Sequence, residues 1–389
     1  MSNIKTESIK DSKKRNEHPY WIWESIQMIP DVLRECFDKE LQDRIGHISE
    51  QFMKRGINKI FLMGTGSSYF ASIAEKYLFE EMTGLPVFSS ITSLLNNYPP
   101  LFLDSRSIVF FHSHSGMTGG DDGAVEFARS RGAYTIGVTD IPGSDLAEAV
   151  DDAFIGPGGR KIELPATRTY STALFRMYML SFELARKLGN VEIAKRYETV
   201  FKGYPEKVKD FIDSYEKVAP FNVEKLKDCE SFIHIGYGPN LATAEEGALA
   251  FSQCASVPAQ SFEMENFIHG LMQTLSKKMG VVIIANEGML QSRILKIARA
   301  VKIIGAKVIL LIDDKTDMDI GADIVIKMPA GIPELISPVI YMIPLWQTAY
   351  YFHRLERGSH PDRLFMDRPE FKKAFSYIVS KEEKWISSE

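Results

Sequence analysis

Apolar residues in this chain come in short unbroken runs, each followed by turn residues and then by apolar positions at helical spacing. At Ile60 the run IFLM meets Gly64-Thr65-Gly66-Ser67-Ser68 and passes into YFASIAEKYLFEEM. At Phe232 the run FIHI meets Gly236-Tyr237-Gly238-Pro239-Asn240 and passes into LATAEEGALAFSQ. An apolar run bounded by glycines predicts a buried strand, and the 3.6-residue spacing after it predicts a helix. A second pair matches in the same way: SIVFFHSHSGMTGGDDGAVEFARSRGAYTIGVTD and GVVIIANEGMLQSRILKIARAVKIIGAKVILLIDD. Each predicts a strand, a polar loop, a helix and a strand ending in aspartate, Asp140 in one and Asp313 in the other. Gly64 and Gly236, like Gly132 and Gly305, lie about 172 residues apart, which marks a duplicated domain rather than a short repeat.

Strands alternating with helices predict an α/β protein of two tandem, doubly wound domains, with mostly parallel sheets covered on both faces. Ligands of such sheets bind at the carboxyl ends of the strands, where the glycine loops fall. The pattern divides the chain into a polar tail over 1–17, expected to be disordered, and a first domain over 18–190. A helical linker over 191–228 follows, punctuated by Pro205 and Pro220, and then a second domain with a C-terminal tail over 229–389.

The charge balance narrows the partners. A net charge of −5 leaves no basic field for nucleic acid or an anionic membrane surface. An anionic small molecule would need a local device, such as the N–H groups at a helix start. The first residues are polar, with no apolar core of a signal peptide, and ISPVIYMIPLWQTAYYF is interrupted by Pro338 and Pro344. Three scattered cysteines, Cys36, Cys229 and Cys254, suit a reducing compartment, so a cytoplasmic protein is expected. No metal-ligand spacing occurs, and neither a metal nor a cofactor is expected.

Gly64-x-Gly66 after a strand invites comparison with a dinucleotide fingerprint, but the third glycine position holds Tyr69, and Leu241 in the second half. What remains is rich in hydroxyls. Ser67 and Ser68 open the first helix, while Ser113, His114, Ser115 and Thr118 lie in the loop after a later strand. Ser and Thr also serve as ordinary caps and turn residues. Two such loops at two strand ends of one sheet point instead to a phosphate cradle.

These segments resemble the SIS (sugar isomerase) family, in the double arrangement of the isomerase half of glucosamine-6-phosphate synthase and its deaminase and deglycase relatives. Gly66-Ser67-Ser68-Tyr69 resembles that family's Gly-Thr-Ser-Tyr, and Ser113-His114-Ser115-Gly116-Met117-Thr118 its phosphate loop Ser-Gln-Ser-Gly-Glu-Thr. Pro142-Gly143-Ser144 with Leu146 and Thr167-Arg168-Thr169-Tyr170-Ser171-Thr172 follow in the family's order. So do Glu246-Gly247-Ala248-Leu249, His269-Gly270, Ala349-Tyr350-Tyr351 and Gly358 with Pro361-Asp362. The resemblance spans Tyr20 to the C-terminal helix. It implies flavodoxin-like domains, a phosphorylated amino sugar or sugar–amine adduct as ligand, and isomerisation, deamination or deglycation without a metal. It also implies a homodimer with shared sites, for which Tyr20, Trp21 and Trp23 are candidate anchors if they are not simply core.

Three departures qualify the implied chemistry. Position 2 is Ser rather than Cys and the synthase's glutaminase part has no counterpart, so no glutaminase activity is expected. The family's proton-transfer glutamate falls on Gln253, and an amide is no general base at neutral pH. For the family's lysine beyond Pro-Asp, Lys372 and Lys373 are the nearest candidates. His269 suits ring opening, because an imidazole titrates near neutrality. For the proton shuttle the chain offers Glu263, Glu265 and Glu246, the last two helical turns from Gln253. Thr167 is expected at the substrate pocket. A non-catalytic sugar-phosphate sensor that has lost its base is the alternative.

Overall fold

A computed structural model of the chain describes residues 15–117, 121–159, 165–362 and 368–379. In the first half β1 (Lys59–Gly64), β2 (Val87–Ile91), β3 (Ser107–His112), β4 (Tyr134–Thr139) and β5 (Asp152–Ile155) form one sheet in the order β2-β1-β3-β4-β5. In the second half β6 (Ser231–Gly236), β7 (Ala259–Glu263), β8 (Met279–Ala285), β9 (Lys307–Asp313) and β10 (Ile324–Met328) form another, ordered β10-β9-β8-β6-β7. Read from the other edge this is the same order, and every strand pair is parallel. The duplication legible in the chain is thus a duplication of the doubly wound fold.

The near-continuous apolar runs follow from that architecture. A parallel sheet is crossed by helices on both faces, so its central strands have no solvent side on which to alternate. Every residue of β3 and β4 is buried. Ile108 and Phe110 face the layer that holds the helices Ser67–Thr83 and Arg168–Lys187, whereas Val109 and Phe111 face the layer of Ala124, Val125 and Ala128.

One apolar cluster runs through both halves, joining Ile60 and Leu174 to Phe232 and Trp346. The stretch between the halves is part of it. Helices Val191–Phe201, Tyr204–Glu216 and Ala219–Glu224 bury Phe201, Tyr204, Phe211 and Val223, and Tyr215 Oη shares a hydrogen bond of 2.9 Å with Thr348 Oγ1. The chain's beginning is tied to its far end. The N–H groups of Trp21 and Ile22 donate to Asp362 at 3.0 and 2.9 Å, Tyr20 is buried, and Trp23 Nε1 donates to Glu216 at 2.6 Å. Tyr20 and Trp23 therefore pack within the chain, and the Arg15 guanidinium lies over the Trp21 ring. Residues 1–14 of the expected tail lie outside the described residues.

The late apolar stretch forms helices Pro338–Tyr341 and Ile343–Tyr351, buried on all sides. No helix among the described residues is long and apolar enough to cross a membrane. Cys36, Cys229 and Cys254 are buried free thiols.

Candidate functional site

A cavity opens at the carboxyl end of the first sheet, lined by Ser67, Ser68 and Ala71, by His112, Ser113 and His114, and by Asp140, Thr169, Tyr170 and Arg176, among others. The glycine loop after β1 forms one wall. A Cβ on Gly64 would lie 2.5 Å from the Ser68 carbonyl carbon, and Gly66 holds a positive φ of 58°, so the helix can start tight against the strand only with glycine at both positions. That start delivers Ser67 and Ser68 with the N–H groups of a 17-residue helix.

The loop after β3 forms the opposite wall, and backbone bonds fix it to the end of β4. Ser113 N–H donates to Val138 O, Asp140 N–H to His114 O, and Thr139 Oγ1 to His114 O. Gly116 (φ 62°) passes so close to Ser144 that a Cβ would lie 2.1 Å from its Oγ. Ser115 is exposed, its hydroxyl accepting from Met117 N–H. Thr118, the last expected phosphate ligand, lies outside the described residues.

Behind this loop lies a buried charge network. Asp140 takes Arg176 Nη1 at 2.5 Å and His114 Nδ1 at 2.7 Å, and the Asp140 and Arg176 side chains are each only 1% exposed. Burial pushes the Asp140 carboxyl up, but the Arg176 guanidinium and the His114 bond outweigh it and hold it below its ordinary value. With Nδ1 committed to Asp140, the other ring nitrogen of His114 is the one available to a ligand. Arg176 is the charge that sequence reasoning missed, although a lone arginine in the apolar run ALFRMYML was its signal.

A second polar group lies deeper. His112 Nε2 stands 3.1 Å from Glu75 Oε2, with the side chains 2% and 0% exposed. The polar side-chain atoms of Glu75, His112, Tyr170 and Tyr178 are buried and form no well-aligned hydrogen bond within the chain. Glu246 approaches from the second half. Burial raises its carboxyl to about 8, with Ser67 opposing the shift, and burial raises neighbouring Glu245 to about 7.

The remaining expected residues lie apart from the cavity lining. Thr167 is fully buried with its hydroxyl donating to Ser25 Oγ, while its neighbours Ala166 and Thr169 reach the cavity. Glu263 caps the helix Met264–Ile268, accepting from the N–H groups of Glu265 and Asn266. Glu265 is gripped by Arg293 at 2.7 and 2.9 Å, which lowers its carboxyl and makes it a weaker base. His269 follows as an exposed residue at that helix's end. Lys372 and Lys373 are exposed on the helix Pro369–Val379. Glu246 and Gln253 do not share a continuous α-helix as their spacing suggested. The α-helix ends at Ala250, and Phe251–Ala255 is a π-helical turn closed by Ser256 at φ 57°, which shifts the register. Gln253 Oε1 is buried there without a partner.

The second half keeps the glycine loops but not the cradle. At the spacing of the repeat, Ser113 becomes Ala285, Ser115 becomes Glu287 and Thr118 becomes Leu290. The Glu334 carboxylate fills the space, so close that a Cβ on Gly288 would meet its Oε2 at 2.6 Å. Only the first half therefore presents a hydroxyl-lined cradle among the described residues.

Comparison with known proteins agrees with this architecture. The SIS domain family model matches residues 55–182 and again 225–352. The glutamine–fructose-6-phosphate aminotransferase (isomerizing) of Pyrococcus horikoshii is 30% identical over 341 residues, covering 85% of this chain and 56% of that protein. That of Gloeobacter violaceus is 27% identical, covering 88% and 57%. The chain thus spans about half the length of the curated relatives it matches. Among solved structures, the C-terminal domain of glucosamine-fructose-6-phosphate aminotransferase from Francisella tularensis superposes with a TM-score of 0.77 at 22% identity, covering 90% of this chain and 100% of that one. Glucosamine-6-phosphate deaminase from Thermotoga maritima gives 0.67 at 18% identity, covering 88% and 96%.

Proposed function

The chain belongs to the SIS domain family, and on that premise we propose that it binds a phosphorylated amino sugar or sugar–amine adduct and rearranges it by isomerisation, deamination or deglycation. The observation that carries this reading is the first-half cradle, where serines from two strand ends face one cavity backed by the Arg176–Asp140–His114 network. Ser67, Ser68, Ser113, Ser115 and Thr118 take the phosphate, with the helix N–H groups and His114 adding to its attraction. A phosphate held there fixes the sugar, so that its carbonyl carbon is presented to an acid–base group.

His269 opens the sugar ring in this reading. Its exposure, away from the cavity lining of its own chain, fits a role at the site of a second copy, and a homodimer with shared sites is part of the proposal. A monomeric mass by light scattering at micromolar concentration would remove that part. Buried thiols without a disulfide fit a cytoplasmic setting. Lys372 and Lys373 are the candidates for the substrate pocket in this reading.

The test is a thermal-shift screen of hexose and hexosamine 6-phosphates, followed by NMR of the products. At least one 6-phosphate should raise the melting temperature while its unphosphorylated sugar does not. Ser68→Ala and Ser113→Ala should each weaken that ligand by about 1.5–3 kcal/mol, the range for hydrogen bonds to a charged partner. Unchanged affinity in both variants would misplace the cradle. A second reading, a sugar-phosphate sensor without catalysis, is favoured by the amide at Gln253. It predicts binding with no exchange of carbon-bound protons and no product.

A further inference from the structure

If the chain rearranges a sugar phosphate, some group must move a proton between two carbons, and the amide of Gln253 does not. One side chain that lines the cavity, His112, and one buried behind it, Glu75, have the required chemistry. His112, the last residue of β3, points with Ile108 and Phe110 toward the helices Ser67–Thr83 and Arg168–Lys187, and it lines the cavity beside Ser113. Glu75 reaches it from the first of those helices, 3.1 Å from Nε2, and is itself wholly buried. Tyr170 and Tyr178 from the second helix, and Glu246 from the helix Asn240–Ala250, complete the surroundings. The titratable and charged groups of the cavity wall are His114, Asp140 and Arg176, with Asp140 bonded to both of the others.

Structural economy does not account for this group. A buried carboxylate and imidazole cost free energy unless paired and hydrogen-bonded, and a leucine at 112 with an alanine at 75 would pack without that cost. Their polar atoms also form no well-aligned bonds to the rest of the chain. A carboxylate beside one imidazole nitrogen orients the ring and leaves the other nitrogen to exchange protons with a ligand, an arrangement general to acid–base sites.

Resting on the proposed function, we infer that His112 is the residue that transfers the carbon-bound proton of the sugar phosphate, with Glu75 positioning its ring. With Glu75 at Nε2, Nδ1 takes the proton from the carbon beside the carbonyl. The C–H electron pair becomes the new carbon–carbon double bond, and the carbonyl π pair settles on its oxygen, which takes a proton from solvent water to give the enediol. In the second half-step the neighbouring hydroxyl returns a proton to solvent and closes a new carbonyl, while the enediol carbon takes its proton back from His112. One hydrogen has moved between carbons and one between oxygens, with no oxidant, reductant or co-reactant consumed.

The experiment follows deuterium uptake from D2O into the C1 and C2 positions of fructose 6-phosphate and glucosamine 6-phosphate by NMR, with binding of the same compounds measured in parallel. The wild-type chain should bind and exchange at least one of them. His112→Asn should keep binding within a few-fold but lose exchange by about 10²–10⁴-fold, the usual contribution of a general base. Glu75→Gln, close in size, should keep binding, slow exchange at saturating ligand rather than raise KM, and alter the pH profile of exchange. His112→Gln serves as a second variant, and circular dichroism with retained binding certifies the fold of each. Exchange that survives both substitutions at position 112, or a bound wild type that never exchanges, overturns the assignment. A loss of binding in the folded His112 variants also overturns it, because His112 would then be a ligand to the phosphate. Absence of any binding by the wild type instead removes the proposed function, and this assignment with it.

Discussion

Replacing Arg176 with methionine is expected to cost about 3–5 kcal/mol of folding stability, the penalty for leaving one charge of a buried pair without its partner. Both side chains are 1% exposed, so water does not reach in to solvate the carboxylate of Asp140 once the guanidinium is gone. Methionine retains most of the apolar volume, so the loss reports on charge rather than on a cavity. The sign with pH follows from Asp140. In the native protein its carboxyl lies below its ordinary value of 3.8, so its pairing contributes stability above that pH, and the contribution is lost as pH falls through the depressed value. The gap between Arg176→Met and wild type should therefore be widest near neutrality and narrow as pH falls below 3.8. Urea unfolding at several pH values measures it. Adding Asp140→Asn to Arg176→Met should recover much of the loss, and a strictly additive double variant would show that the two do not form a functional pair. Because His114 leans on the same carboxylate, Asp140→Asn alone should also weaken binding of a 6-phosphate ligand.

Glu246→Gln is expected to do the opposite and stabilise the protein. Burial raises the native Glu246 carboxyl to about 8, from an ordinary value of 4.5. Below pH 4.5 the group is protonated in folded and unfolded chains alike and costs nothing. Between there and about 8 the unfolded chain releases a proton that the folded one retains, and each pH unit removes about 1.4 kcal/mol. At pH 7 the accumulated cost is roughly 3 kcal/mol, which an uncharged amide of the same shape avoids. The advantage of Glu246→Gln should grow from near zero at pH 4–5 to its full size by pH 8, read by urea midpoints across that range. An advantage independent of pH would assign the effect to packing instead. A buried acid kept at such a cost beside Ser67 is the pattern of a group retained for the ligand rather than for the fold.

Much of this protein was legible in its chain because the deciding interactions are local or periodic. Apolar runs of strand length, glycines at Gly64 and Gly236 where a helix starts against its strand, and the return of the pattern after some 172 residues depend on near neighbours. They settle two parallel sheets of one topology, and they put the serines of the first half at adjoining strand ends. The site's charge structure depends on residues far apart in the chain. Arg176 meets Asp140 across 36 positions, and Glu75 meets His112 because a helix folds back over β3. A lone arginine or histidine in an apolar run shows that something buried must answer it, but not which residue does. Local reasoning also assumed ideal geometry from Glu246 to Gln253, which the π-helical turn at Phe251–Ala255 breaks. Likewise the chain offers Glu265 for the proton shuttle, and only packing shows Arg293 paired to it. And two halves alike in pattern differ in use, because Glu334 enters the second cradle through a tertiary contact that no short-range pattern encodes. Backbone hydrogen bonding and burial, repeated every few residues, determine the fold. Long-range pairing of single charges, which no period records, decides the chemistry of the site.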